Sequence, residues 1–276
     1  MSEPVPSVPA QVAQRVADRY AAHPEVLAVA MAGSRAVGRA DAASDVDLYV
    51  YARPALSPAA RAAVVGRSPR AELGNRFFEP GDEWLDAGSG VQLDAMFRDP
   101  GWIEAELDRV LVRHEARVGY STAFWYGVRE SVALVDREGW YARLQARARG
   151  PYPEPLVRAV VAMNQPLLRA HLSSYLHQLE KAVARADAVS ANHRTAAFLA
   201  SLFDLLFALN RQPHPGEKRL LALAEALPLR PPGLSRDVEA LLAAAARPGP
   251  ELLRRADALG EQVDALLREA GLLGSR

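Results

Sequence analysis

Asp45 and Asp47, one residue apart in Asp45-Val46-Asp47-Leu48-Tyr49-Val50, are the first residues in the chain whose type and spacing could do chemistry. The stretch reads as a strand, and strand side chains alternate between faces. Both carboxylates therefore share one face, while Val46, Leu48 and Val50 point the other way into a core. Their Cα atoms lie about 6.6 Å apart, twice the rise per residue. Two carboxylates at that spacing can converge on one hard cation, which takes oxygen ligands. Eleven positions before Asp45 stands Ser34, in Gly33-Ser34-Arg35. Glycine lets the backbone approach a ligand closely. Backbone N–H groups after it, the Ser34 hydroxyl and the Arg35 guanidinium can together hold a phosphate. Phosphate donors beside paired carboxylates point to a nucleoside triphosphate with magnesium. Such chemistry calls for a further carboxylate, as metal ligand and base. Asp94 is the candidate: in Val91-Gln92-Leu93-Asp94-Ala95-Met96-Phe97 the apolar residues make one face and Asp94 stands on the other.

The elements that must position these residues come from periodicity and punctuation. Gln11 to Ala22 reads as a helix with Val12, Val16 and Tyr20 on one stripe. Glu25 to Ala32 reads as a strand that runs into Gly33-Ser34, with a short helix-like segment after it, and Val46 to Tyr51 as the next strand. Ser57-Pro58 opens a helix to about Val65, with Ser57 as its N-cap. Glu72 to Ala87 reads as two strands around Pro80-Gly81, and Val91 to Phe97 as another. Asp99-Pro100 starts a helix through about Val112. A short strand at Ser131 to Asp136 precedes a helix from Trp140. After Gly150-Pro151-Tyr152-Pro153 only helical periodicity remains, at 154–171, 173–189, 193–210, 216–226, 235–246 and 249–270. The expected organisation is an α/β domain over 1–150 and an all-helical domain over 151–276.

Composition narrows the function classes. With no cysteine, disulfides, thiolate metal sites and cysteine nucleophiles are excluded. The 33 basic and 33 acidic residues cancel, so no global field draws the chain onto nucleic acid or an anionic membrane. Of the basic residues only Lys181 and Lys218 are lysines. The first ten residues carry Pro4, Pro6 and Pro9 and no basic stretch. They read as a loose arm rather than a signal peptide, which makes the cytoplasm the default location. No apolar run approaches a membrane span. The chain has no P-loop, no Gly-x-Gly-x-x-Gly after a strand, no nucleophile elbow and no close histidine spacing for zinc. Arg109 and His114 have the Arg-x4-His spacing of certain helical ribonucleases, which is read as coincidence.

Gly33-Ser34, Asp45-x-Asp47 and Asp94 in this order resemble the nucleotidyltransferase superfamily of DNA polymerase β. The likeness is to its small bacterial branch of aminoglycoside and minimal nucleotidyltransferases, and it covers residues 26–97. Leu134-Val135-Asp136-Arg137-Glu138-Gly139 is similar to the closing strand of such domains. Phe124-Trp125-Tyr126, with Phe207-Ala208-Leu209-Asn210 and Pro215-Gly216-Glu217-Lys218-Arg219, resembles an uncharacterised bacterial family of the same architecture. The resemblance implies an α+β fold, a mixed sheet flanked by helices followed by a helical bundle that packs across the sheet's mouth. It implies two Mg2+ ions on Asp45, Asp47 and Asp94, with Asp94 also assisting deprotonation of an acceptor hydroxyl. ATP is the implied donor. A lysine of the helical domain commonly reaches the phosphates in such proteins, and Lys218, after Pro215-Gly216, is the candidate here. Asp204 shares a small-residue helix face with Ala197, Ala200, Ser201 and Ala208, and is a candidate for binding a cationic acceptor. A small-molecule acceptor is favoured over DNA by the neutral charge. The competing expectation is a regulatory, antitoxin-like nucleotidyltransferase that acts on or binds a protein partner.

Overall fold

The computed structural model describes residues 7–36, 38, 44–77 and 79–274. Most of the connection after Arg35, from Val37 to Ala43, lies outside the described residues. The contacts divide the chain into two compact units. One comprises Met1–Leu107 with Gly127–Gly150, the other Asp108–Tyr126 with Pro151–Arg276. The fold is α+β, with a six-stranded mixed sheet and a C-terminal helical region.

The first unit begins with α1 (Val8–Ala21), β1 (Val26–Met31), the one-turn α2 (Gly33–Ala36) and β2 (Val46–Ala52). There follow α3 (Pro58–Val65), β3 (Ala71–Asn75), β4 (Gly81–Leu85), β5 (Gln92–Arg98) and α4 (Pro100–Leu111). After α5 (Ala123–Glu130) come β6 (Val132–Asp136) and α6 (Trp140–Ala148). The sheet order is β3-β4-β5-β2-β1-β6; β2 and β5 run parallel and the other pairs antiparallel. Ser57 caps α3 as its position predicts: its Oγ accepts a hydrogen bond from Ala60 N–H at 3.2 Å. The helix at α5 had no counterpart in the periodicity reading.

One face of the sheet is covered by α1 and α3. Val12, Val16 and Tyr20 of α1 and Val64 and Val65 of α3 join Val46, Leu48, Val50, Leu93, Ala95 and Trp84 in one core. Leu48 and Leu93 are fully buried, and burying each stabilises by about 1.5–3 kcal/mol. That burial fixes the register, because a slip of one residue would drive Asp47 into the core and Leu48 out of it. Asp82 also lies on the covered face, fully buried. Arg61 of α3 compensates it with both nitrogens of a guanidinium edge, Nε to Oδ2 at 2.9 Å and Nη2 to Oδ1.

The second unit contains α7 (Glu154–Arg169), α8 (Tyr175–Ala184), α9 (Ala188–Leu209), α10 (Leu220–Glu225), α11 (Leu234–Ala245) and α12 (Pro250–Glu269). No strand follows residue 154 among the described residues. The α8–α9 break falls at 185–187, earlier than expected. Asp187 is the N-cap of α9, accepting from Ser190 N–H at 2.9 Å. The segment 108–126 joins this unit although it precedes residue 150 in sequence. α9 packs on α7, α8, α10, α11 and α12. It is buried on all sides from Ser201 to Leu209, as a helix at the centre of a bundle must be.

Candidate functional site

The face of the sheet opposite α1 and α3, where Tyr51 packs against Trp140 and Tyr141 of α6, carries a row of carboxylates. In the parallel pair β2–β5, Asp47 stands opposite Asp94. In the antiparallel pair β4–β5, Glu83 stands opposite Asp94, and in β3–β4, Glu72 stands opposite Glu83. Residues opposite one another on paired strands share a face. Glu72, Glu83, Asp94 and Asp47 therefore form one row across four strands, each about 4.8 Å from the next strand. Like charges in this arrangement repel. Burial, then Glu83, Asp47, Asp45 and Glu79, push the Asp94 carboxyl up to about 6. At the edge of the sheet the row is partly compensated: Arg70 binds Glu72 at 3.0 Å and the Asn75 amide donates to Glu83 at 3.1 Å. Farther along β5, the buried Arg98 binds Glu79 with two hydrogen bonds of 2.8 and 2.9 Å and stacks on Tyr49 at 3.6 Å.

Gly33 closes the other side of Asp47. Its φ is +66°, and a Cβ at this position would lie 1.8 Å from Asp47 Oδ2. Ala32 N–H, just before it, donates to Asp47 O at 2.9 Å. Only glycine lets the turn after β1 rest on this carboxylate. The Arg35 guanidinium binds the backbone, Nε to Asp45 O at 2.8 Å and Nη2 to Ser44 O. It joins the end of α2 to the start of β2. The Ser34 side chain lies outside the described atoms.

Every donor in the row is a carboxylate oxygen, the ligand type of Mg2+. The Asp47 carboxylate itself occupies the space where a Gly33 side chain would stand. The donor set fits a hard divalent cation in its oxygen chemistry. As the side chains stand, no group of three or more His, Asp or Glu residues among the described residues is gathered into a metal cage.

The helical unit places Asp204 and Lys218 differently. Asp204 is 2% exposed. It accepts hydrogen bonds from Ser121 N–H at 3.1 Å and the Asn164 amide at 3.3 Å. Asn164 also binds Gly119 N–H and Arg117 O, both at 2.9 Å, and Arg109 donates to Ser121 O at 2.7 Å. These side chains hold the segment 115–122 in place. Arg109 is thereby committed to backbone, which gives it a structural task. Lys218 is exposed on the short connection from α9 to α10. His214, on the same connection, was not singled out by sequence. It is fully buried against Tyr120 and Phe207, and burial pulls its pKa down to about 4, so it is neutral. Its Nδ1 accepts from Gly216 N–H at 3.1 Å, and the Tyr120 hydroxyl donates to Glu217 at 3.2 Å.

Burial pushes the Asp204 carboxyl up to about 7, against the opposing pull of Ser121, Arg109 and Asn164. An acid whose pKa is higher folded than unfolded takes up a proton on folding. Its contribution is fully present below the unfolded value, about 3.9, and is lost as pH rises towards 7. Over that window wild type is expected to lose stability relative to Asp204→Asn by about 1.4 kcal/mol per pH unit. Urea midpoints of both proteins from pH 4 to 8 check this, and parallel profiles would overturn it.

A family model described as a domain of unknown function, DUF4037, matches residues 126–220, about a third of the chain. No curated protein matches the chain. Among solved structures, the chain is similar to a nucleotidyltransferase-like protein from Exiguobacterium sibiricum. The identity is 15%, the TM-score 0.45, and the match covers 95% of this chain and 75% of the other. No helix among the described residues is long and apolar enough to cross a membrane.

Proposed function

We propose that the chain transfers a nucleoside monophosphate from a magnesium-bound nucleoside triphosphate, ATP in the simplest case, to a hydroxyl of a small-molecule acceptor, releasing pyrophosphate. The observation that carries this reading is the registered pair Asp47 and Asp94 on parallel strands, with the Gly33 turn seated on Asp47. Asp45, Asp47 and Asp94 would hold two Mg2+ ions. When bound, the ions neutralise the triphosphate and stabilise the attacking and leaving oxygens. Glu83 extends the same row and adds to the negative potential that draws the ions in.

The acceptor oxygen attacks the α-phosphorus while the bond from that phosphorus to the oxygen of the leaving pyrophosphate breaks. The acceptor proton passes to Asp94, the carboxylate proposed as the base. Backbone N–H groups at Gly33 and Ser34 face the position of the phosphates in this reading, and Lys218 is the lysine proposed to meet the triphosphate.

Pyrophosphate release with ATP and magnesium, measured over a panel of hydroxylated small molecules and of candidate proteins, tests the proposal. Acceptor-dependent release with a small molecule is the expected result. Release only with a protein acceptor would support the regulatory alternative, and none with any nucleotide or acceptor would overturn the assignment.

A further inference from the structure

The face of the sheet away from the acid row holds a cleft of about 450 Å³ within the first unit. It lies between α1, the end of α3, the end of β4 and the β4–β5 turn. Its lining includes Val16, Val65 and Trp84, which are 1%, 5% and 4% exposed and belong to the core. Three arginines border it, Arg15 and Arg19 of α1 and Arg67 of the loop after α3, against one acid, Asp86. Arg15 binds Asp86 at 2.5 Å. Arg19 uses Nη1 on Val64 O, near the C-terminus of α3, at 3.0 Å. Arg67 is exposed and makes no hydrogen bond or ion pair among the described residues. The formal charge of the lining is thus two positive. Successive residues of a strand point to opposite faces, so Trp84 looks into the cleft side while Glu83 stands in the acid row. The sheet itself separates the two.

We infer that this cleft is a second anion site, which takes a small phosphomonoester. Guanidinium groups suit phosphate because their donors are fixed in a fork that matches its oxygens. A phosphomonoester is close to a dianion at pH 7, its second pKa being about 6, and so matches the lining charge. The volume lies within the range of small-ligand sites, about 300–1,000 Å³. Val16, Val65 and Trp84, almost wholly buried, close the floor of the cleft; the exposed Ala63 and Ala87 border the ester's organic body, while Arg19 and Arg67 meet its phosphate. Asp86 engages Arg15 at the border of the cleft.

Isothermal titration of the full chain with phenyl phosphate at pH 7.5, in EDTA and without magnesium, tests the inference. Saturable binding is expected, with Arg67→Ala weakening it about tenfold, the loss of one hydrogen bond to a charged group. Arg67 is exposed, so that variant leaves the core intact; Arg19→Lys, which keeps the charge but not the fork, is expected to weaken binding as well. Asp47→Asn is expected to bind as wild type does. Phenol is expected not to bind, and the affinity for phenyl phosphate to fall at pH 5 as the dianion is lost. No saturable heat, equal affinity for phenol, or unchanged affinity in both arginine variants would overturn the site. Binding altered by Asp47→Asn would place the phosphate at the acid row and overturn it too.

Discussion

Asp47→Asn is expected to lower nucleotidyl transfer by at least about 10²–10³-fold, the usual cost of removing one preorganised electrostatic contact to a transition state. The same variant is expected to leave stability unchanged or slightly raised. Asp47 stands opposite Asp94 in the sheet, and removing one of two neighbouring like charges relieves repulsion. Asn keeps the shape and the alternation that buries Val46 and Leu48. Activity and stability thus move in different directions, which a merely structural residue would not produce. Pyrophosphate release with magnesium and a urea melt on the same preparation check both halves. Transfer at wild-type rate would remove Asp47 from the chemistry. Asp45→Asn and Asp94→Asn are expected to behave alike in transfer.

Gly33→Ala is expected to lower transfer by at least about 10²-fold without changing any ionisable group. The new Cβ would fall 1.8 Å from Asp47 Oδ2, and the backbone at φ +66° disfavours any side chain. A left-handed conformation costs a non-glycine residue about 1–2 kcal/mol before the collision is counted. The turn must lift away from Asp47 or the carboxylate must rotate out of the row. Either movement of about 1 Å is enough to cost some 10²-fold in rate. Steady-state transfer and the far-ultraviolet circular dichroism of the variant check this. A folded variant with near-normal transfer would show that the Gly33–Asp47 contact does not serve the reaction.

Much of the candidate site was legible in the chain because its parts are local. Alternation from Asp45, just before β2, into the strand separates Asp45 and Asp47 from Val46 and Leu48 within four residues. Gly33-Ser34 at a strand end and Ser57-Pro58 at a helix start carry their conformations with them. The helical breaks at Pro-Gly clusters are local as well, which is why the region after residue 154 was read as helix throughout. Asp187 with Ser190 at the start of α9 was equally local, a capping pair that periodicity alone passed over.

The remainder was decided by tertiary structure. Alternation tells which face of its own strand a residue takes, but not which strand lies beside it. Glu83 and Glu72 join the acid row only because β4 pairs with β5 and β5 pairs in parallel with β2. Asp204 appeared on a small-residue face suited to an acceptor, yet α9 is enclosed on all sides and the carboxylate is taken up by Ser121 and Asn164. Arg35 appeared as a phosphate donor, yet its guanidinium reaches the carbonyls of Ser44 and Asp45. The segment 108–126 groups with helices that begin only after residue 150. In each case a charged or polar group found its partner through non-local contact. The chain therefore determined by itself which residues face which side of each element, and the packing of those elements determined which groups they meet.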